Sequence, residues 1–368
     1  MSDASSSALP AFTRTAHPAP VPGETRAEAI ADPKFGTLFT DHMVVVDYHA
    51  DKGGWHHASL EPRQPIPLDP ASSVLHYAQE IFEGMKAYKH PDGSLALFRP
   101  EANAQRYNAS ARRMAMPELP EDLFIESLRQ LLAADKDWFP TAEGATIYLR
   151  PFMFASEAFL GVRPAREYKH VVIASPAGPY FKSGHKAVKI WVSQDYVRAA
   201  PGGTGAAKTG GNYAASLVPL AEGTEKGCDQ TVFLDAVEHK YVEELGGMNL
   251  FFVMDDGSVV TPPLTGTILP GITRDSLIQL LRDEGLSVRE DPYTIDQWRE
   301  DATSGRLVET MACGTAAVVT AVGTVLGPEG EFTIGSGGTG QLTQKMRDVL
   351  TGIQNGTRPD PHGWVMKL

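Results

Sequence analysis

Residues Gly202–Leu217 read GGTGAAKTGGNYAASL, and the rest of the chain is organised around them. Gly202, Gly203, Gly205, Gly210 and Gly211 surround one lysine, Lys208. Glycine lets backbone approach a ligand closely and adopt dihedrals that other residues avoid. An amine in an open, apolar setting can shed its proton and attack carbonyls. From Asn212 to Glu222 the pattern reads as a helix, so the glycine loop feeds a helix N-terminus. On composition alone the segment reads first as a flexible turn carrying a solvated lysine, because most lysines are surface charges. It contains no GxxxxGK[ST], so it is not a nucleotide P-loop.

The totals narrow the function classes. The chain has 368 residues, room for about two domains, and 42% hydrophobic residues, enough for a sizeable core. Its net charge of −12, from 33 basic and 45 acidic residues, argues against nucleic acid as a partner and suits an enzyme of small metabolites. The two cysteines, Cys228 and Cys313, make neither a disulfide framework nor a zinc motif, and no metal site is expected. A reducing, cytoplasmic setting fits. No apolar run reaches about 18 residues, so no membrane helix is expected. Residues 1–34 are rich in Ser, Ala, Pro and Thr and lack the apolar core of a signal peptide. They read as an arm, disordered or draped over the fold.

Outward from the lysine, strands are expected at Asp41–Tyr48, Ser94–Phe98, Thr146–Ala155, Lys169–Ser175, Val188–Ser193, Thr231–Asp235 and Leu307–Met311. Trp55-His56-His57 reads as the edge of another strand. Neighbouring strand positions face opposite ways, so His56 and His57 read as surface residues rather than ligands. Glu80–Lys86 reads as a short helix, and Glu126–Trp138, Ile295–Ala302 and Thr343–Asn355 as longer ones. Arg106, Arg112 and Arg113 read as solvated charge. Strand alternation puts Tyr148 and Arg150 on one face, a pairing suited to a carboxylate. Pro and Gly density places a domain boundary at 176–187, between a small α/β domain (35–175) and a larger one (188–368).

Five ordered segments carry a resemblance. KTGGNYAAS at the lysine, HYAQEIFEGMKAY at His76–Tyr88, YLRP at Tyr148–Pro151, ELGGMN at Glu244–Asn249 and LPGITRD at Leu269–Asp275 are similar to the corresponding segments of branched-chain aminotransferases. That family belongs to the fold-type IV enzymes dependent on pyridoxal 5′-phosphate. The resemblance implies a two-domain α/β fold with mixed, α+β-like element order and the cofactor at the domain interface.

It also implies roles. Lys208 would be joined covalently to the cofactor's aldehyde, and Tyr213 would bond its phenolic oxygen. Glu244 would pair with the pyridine nitrogen, which keeps the ring an electron sink. Arg99, the amides of Ile272 and Thr273 after Gly271, and Thr315 after Gly314 would hold the phosphate. The amides of Thr315 and Ala316 would take the substrate's α-carboxylate. Phe35, Phe82, Tyr148 and Tyr180 would wall the substrate pocket, with Tyr77 arriving from the other subunit of a homodimer. Arg150 would bind the side-chain carboxylate of glutamate or 2-oxoglutarate. Some relatives carry a CxxC pair after the CGTAA turn; here those positions are Ala317 and Thr320, so that thiol switch is absent and Cys313 reads as packed. The implied reaction is transfer of the amino group between leucine, isoleucine or valine and 2-oxoglutarate. A D-amino-acid aminotransferase and a 4-amino-4-deoxychorismate lyase use the same lysine and glutamate and remain the alternatives.

Overall fold

The structure is a computed structural model and describes residues 9–142, 144–178 and 186–368. It divides into two units, Met1–Pro179 with Met366–Leu368, and Tyr180–Val365.

The first unit contains β1 (Thr13–Arg14), α1 (Gly23–Ala31), β2 (His42–His49), β3 (Gly54–Pro62), α2 (Ser73–Tyr77), β4 (Glu80–Phe82), β5 (Met85–Lys89), β6 (Leu95–Phe98), α3 (Pro100–Arg113), α4 (Glu121–Ala134), β7 (Thr146–Ala155) and β8 (Glu167–Ala177). Its sheet runs β1-β3-β2-β8-β7-β5-β6, with β4 paired to β7. Val44, Val46, Leu149, Met153 and Val172 on the strands join Tyr107, Leu123, Phe124, Leu128 and Leu131 of α3 and α4 in one core. The leucines of α4 recur at helical spacing, and burying each is worth about 2 kcal/mol. His170 lies inside this core, where the Tyr107 hydroxyl meets its Nδ1 at 2.9 Å. Burial pushes its pKa down to about 3, so the ring is neutral.

Several expectations need correction. Glu80–Lys86 is not a helix but parts of β4 and β5, both paired to β7. Gly84 between them packs where a Cβ would lie 2.0 Å from the Tyr148 hydroxyl, so a close approach, not a helix, accounts for the glycine. Arg106 is not solvated: its guanidinium forks onto the Glu83 carboxylate at 2.8 Å on both oxygens, and both side chains are buried. Arg112 and Arg113 are exposed. Residues 9–34 are laid along the sheet, β1 pairing in parallel with β3 and Ile30 of α1 reaching the core. β8 continues through Ala177, two residues into the stretch read as linker. Residue Tyr180 lies outside the described residues.

The second unit contains β9 (Val188–Ser193), α5 (Gly210–Ala214), α6 (Leu217–Glu225), β10 (Gln230–Leu234), β11 (Val242–Leu245), β12 (Asn249–Met254), β13 (Val259–Thr261), α7 (Ile272–Asp283), β14 (Val288–Glu290), α8 (Ile295–Ser304), β15 (Leu307–Gly314), β16 (Val318–Gly327), β17 (Gly330–Thr333) and α9 (Gln341–Gln354). The sheet order is β11-β10-β9-β16-β15-β12-β13-β14, with β17 on β16. Trp298 packs edge-on to Phe252 and Phe332 at its centre. The helix expected over Asn212–Glu222 is broken into α5 and α6. Pro219 has no N–H to offer Ala215 and its ring would crowd that carbonyl, so the turns cannot run straight through.

Candidate active site

In the second unit, sheet register gathers the ends of several elements. Asn249 at the start of β12 pairs with Cys313 near the end of β15, and Gly314 pairs with Val318 at the start of β16. Glu244 on β11 is buried beside them. Its carboxylate accepts from Arg198 at 2.8 Å, the Leu269 amide at 3.0 Å and the Asn249 side-chain amide at 3.0 Å. The Asn249 amide also reaches the Leu269 carbonyl at 3.2 Å, tying Glu244 to the turn that leads into α7. Burial pushes the Glu244 pKa up to about 7; Arg198, the Leu269 amide and Lys208 all pull it down. Arg198 already balances its charge, and a further cation against the carboxyl would pull the pKa down again.

The lysine loop is clamped from two sides. The Asn212 side chain donates to the carbonyls of Thr204 and Ala207, both at 2.8 Å, and accepts from the Thr204 hydroxyl at 2.7 Å. Arg198 donates to the Thr267 carbonyl at 2.9 Å as well as to Glu244. Gly205 fits against that segment only because it lacks a Cβ, which would lie 2.4 Å from the Thr267 carbonyl oxygen. These clamps present Lys208, whose Nζ donates to the Tyr213 hydroxyl at 2.7 Å. Tyr213, five positions on, stands on α5, the turn of helix that follows the loop.

Gly271 caps α7, which has no side-chain cap of its own. A Cβ at Gly271 would lie 2.0 Å from Asn249 Oδ1, so the helix enters tight against the Glu244 network. Ile272 and Thr273 form its first turn, where amides and helix dipole favour an anion. Thr315 and Ala316 lie in the turn between β15 and β16. That turn leaves through Val318 at φ 61°, a strained conformation for a β-branched residue. Cys313 is buried and its thiol is pushed up to about 12, so no thiolate is available there.

The first unit holds its own cluster. Arg150 donates to the Tyr148 hydroxyl at 3.1 Å and lies over the Phe82 ring at 4.8 Å. Phe35 meets Tyr148 edge-on at 4.9 Å. Arg99 is the residue before α3, at φ 51° and ψ 47°. That left-handed geometry is costly for any side chain and worse before a proline. Tyr77 is 39% exposed, and its hydroxyl donates to the Leu160 carbonyl of the same chain. Arg198 and Asn249 are the structural contributors that sequence reading missed. Arg198 sits in no motif, and Asn249 is only the last letter of the ELGGMN segment.

A family model described as amino-transferase class IV matches residues 80–324. The chain belongs to the class IV aminotransferases. This class IV aminotransferase is 56% identical over 361 residues to the branched-chain-amino-acid aminotransferase of Mycolicibacterium smegmatis, covering 97% of this chain and 98% of that one. Among solved structures it is similar to the Escherichia coli branched-chain amino acid aminotransferase, with 30% identity, a TM-score of 0.72 and coverage of 83% and 95%. It is also similar to the T.th. branched-chain amino acid aminotransferase solved with pyridoxamine 5′-phosphate, with 27% identity, a TM-score of 0.72 and coverage of 87% and 97%. The fold-type IV expectation therefore holds.

Proposed function

We propose that this chain is a pyridoxal 5′-phosphate-dependent transaminase that moves the amino group between L-leucine, L-isoleucine or L-valine and 2-oxoglutarate. The observation that carries the reading is the Lys208–Tyr213 contact of 2.7 Å, in the same unit as a buried glutamate held by Arg198, the Leu269 amide and Asn249. The branched-chain assignment is supported by 56% identity to the M. smegmatis enzyme over nearly the whole chain. The D-amino-acid and lyase alternatives have no such support.

The residues fit the cofactor. Gly271 lets the start of a 12-residue helix pack tight against Asn249, which holds Glu244, and Glu244 suits a protonated ring nitrogen. Lys208 would be the covalent anchor, Ile272, Thr273 and Thr315 would hold the phosphate, and Arg99 is assigned to it as well. When bound, the cofactor supplies an electron sink that acidifies the substrate's α C–H and stores the amino group between half-reactions.

The chain's own groups do the rest. Lys208 Nζ takes the α-proton and later returns it. The Tyr213 hydroxyl, 2.7 Å away, orients that amine. Thr315 and Ala316 hold the α-carboxylate through backbone amides. Phe35, Phe82 and Tyr148 exclude water around the alkyl chain, and Arg150 receives the second carboxylate of the keto acid. One pocket thus takes an apolar and an acidic side chain in turn.

We also propose a cytoplasmic homodimer in which Tyr77 serves the neighbouring site. Leu75, Leu160 and Val162, all exposed and apolar in the same unit, support a covered face.

Borohydride reduction followed by peptide mapping tests the anchor; the cofactor is expected on Lys208, and a label on any other lysine rejects it. A donor screen with L-leucine, D-alanine and aminodeoxychorismate tests the substrate, with turnover expected for L-leucine alone. Mixing Lys208→Ala and Tyr77→Ala chains tests the shared site through activity recovered in hybrid dimers.

A further inference from the structure

Three ligand-type side chains at the β2–β3 edge are unused by the transaminase reading. Asp47, His56 and His57 each bring one donor atom to within 4.8 Å of the others. Strand alternation would have put the two histidines on opposite faces, and a bulge overturns that. Val45 pairs with Ser59 but Asp47 pairs with His56, so β3 holds one residue more than β2 across that interval. His57 takes up the excess at φ 51°. The two imidazoles consequently meet edge to face, ring centres 4.6 Å apart and planes at 69°.

The surroundings fix which atoms are presented. His56 Nδ1 lies 2.8 Å from the Gly54 carbonyl. A carbonyl only accepts, so Nδ1 carries the hydrogen and Nε2 keeps its lone pair. Lys169 stands opposite Asp47 on β8 and donates to its Oδ1 at 2.6 Å, while Oδ2 lies 3.8 Å from His57 Nδ1. One carboxylate oxygen is thus oriented by a lysine and the other turned to a histidine. A cavity of about 1110 Å³, lined in part by Thr13, Asp47, His56, His57 and Lys169, gives access from solvent.

We propose that Asp47, His56 and His57 bind a divalent transition-metal ion that clamps β2 to β3. Two imidazoles and a carboxylate favour Zn²⁺, Ni²⁺, Co²⁺ or Cu²⁺ over Mg²⁺ or Ca²⁺. Metal–donor bonds of about 2.0–2.2 Å need the donors closer together than they stand here. His57, whose side chain is 77% exposed, can close the gap by rotating. Water completes the coordination. The Lys169 charge opposes the ion and weakens its binding.

The test is titration of tag-free, cofactor-loaded protein with Zn²⁺ against a chromophoric chelator, with melting temperature read in parallel. One Zn²⁺ per chain is expected at micromolar affinity, with a rise of several degrees in melting temperature at saturation. His56→Gln and Asp47→Asn should each weaken binding about tenfold or more. His57→Asn should do the same while tolerating the left-handed backbone. Lys169→Met should tighten binding severalfold. Transaminase activity should be unchanged in all four. No Zn²⁺ bound by the parent protein, or the same affinity retained in the His56→Gln/His57→Asn double variant, overturns the proposal.

Discussion

Arg198 Nη1 lies 2.8 Å from Glu244 Oε1, and both side chains are buried. The same guanidinium donates to the Gly205 carbonyl at 3.4 Å and the Thr267 carbonyl at 2.9 Å, so one residue joins the lysine loop and the segment before α7 to the carboxylate. Removing one member of a buried pair leaves the other charge uncompensated, at a cost of about 3–5 kcal/mol. Arg198→Met should lose stability on that scale and release its cofactor on dialysis. Urea midpoints and visible absorbance measure both. A variant that keeps its colour and its midpoint would remove Arg198 from the account.

Glu244 makes cofactor-free stability depend on pH. Burial raises its carboxyl from 4.5 to about 7. An unfolded chain gives up that proton near 4.5, whereas the folded one keeps it until about 7, so the folded state binds more protons in between. Raising the pH through this window therefore destabilises the apo fold, by ~3 kcal/mol at most. Glu244→Gln cannot ionise, so its stability relative to the parent should climb from pH 4.5 to 7 and level off above. A difference that stays flat across denaturant titrations at pH 4.5, 6 and 7.5 contradicts the assignment.

The Tyr213 hydroxyl is the acceptor for Lys208 Nζ. A hydrogen bond to a charged group is worth about 1.5–3 kcal/mol. Tyr213→Phe should fold normally and lower kcat by roughly 10- to 100-fold, with the pH at which the visible band changes moved as well. Stopped-flow half-reactions with L-leucine read the first effect and a spectral pH titration the second.

Gly84→Ala forces a Cβ to within 2.0 Å of the Tyr148 hydroxyl. Tyr148 must then swing away from Arg150, to which it is bonded at 3.1 Å. Overpacking of this kind costs about 1–3 kcal/mol. On the role proposed for Arg150, KM for 2-oxoglutarate should rise more than KM for leucine, because Arg150 loses its hydrogen-bond partner. Steady-state kinetics with both substrates checks the ratio.

Local pattern disclosed the elements that periodicity governs. Thr146–Ala155 and Val188–Ser193 are strands with the expected bounds, and α7 begins at the residues where LPGITRD places it. What escaped was set by partners distant in the chain. Glu83 and Arg106 are 23 residues apart, and nothing near either shows that they are buried together. Arg198 and Glu244 are likewise joined only by the fold. The bulge at His57 is an offset between two strands, invisible in either alone. The contact between Lys208 and Tyr213 lies within one loop and the helix turn that follows it, so that much was local in the sequence, while the roles proposed for them came from the family resemblance.

Arg99 stands in a left-handed bend immediately before Pro100, a geometry that only glycine occupies at ease. Its side chain is therefore kept against the preference of its own backbone. Selecting this enzyme for heat tolerance alone would reward Arg99→Gly, and such a campaign would quietly trade the guanidinium away. If the proposed role of Arg99 at the phosphate holds, a laboratory lineage that hardens while its demand for added cofactor rises is the trace that exchange would leave.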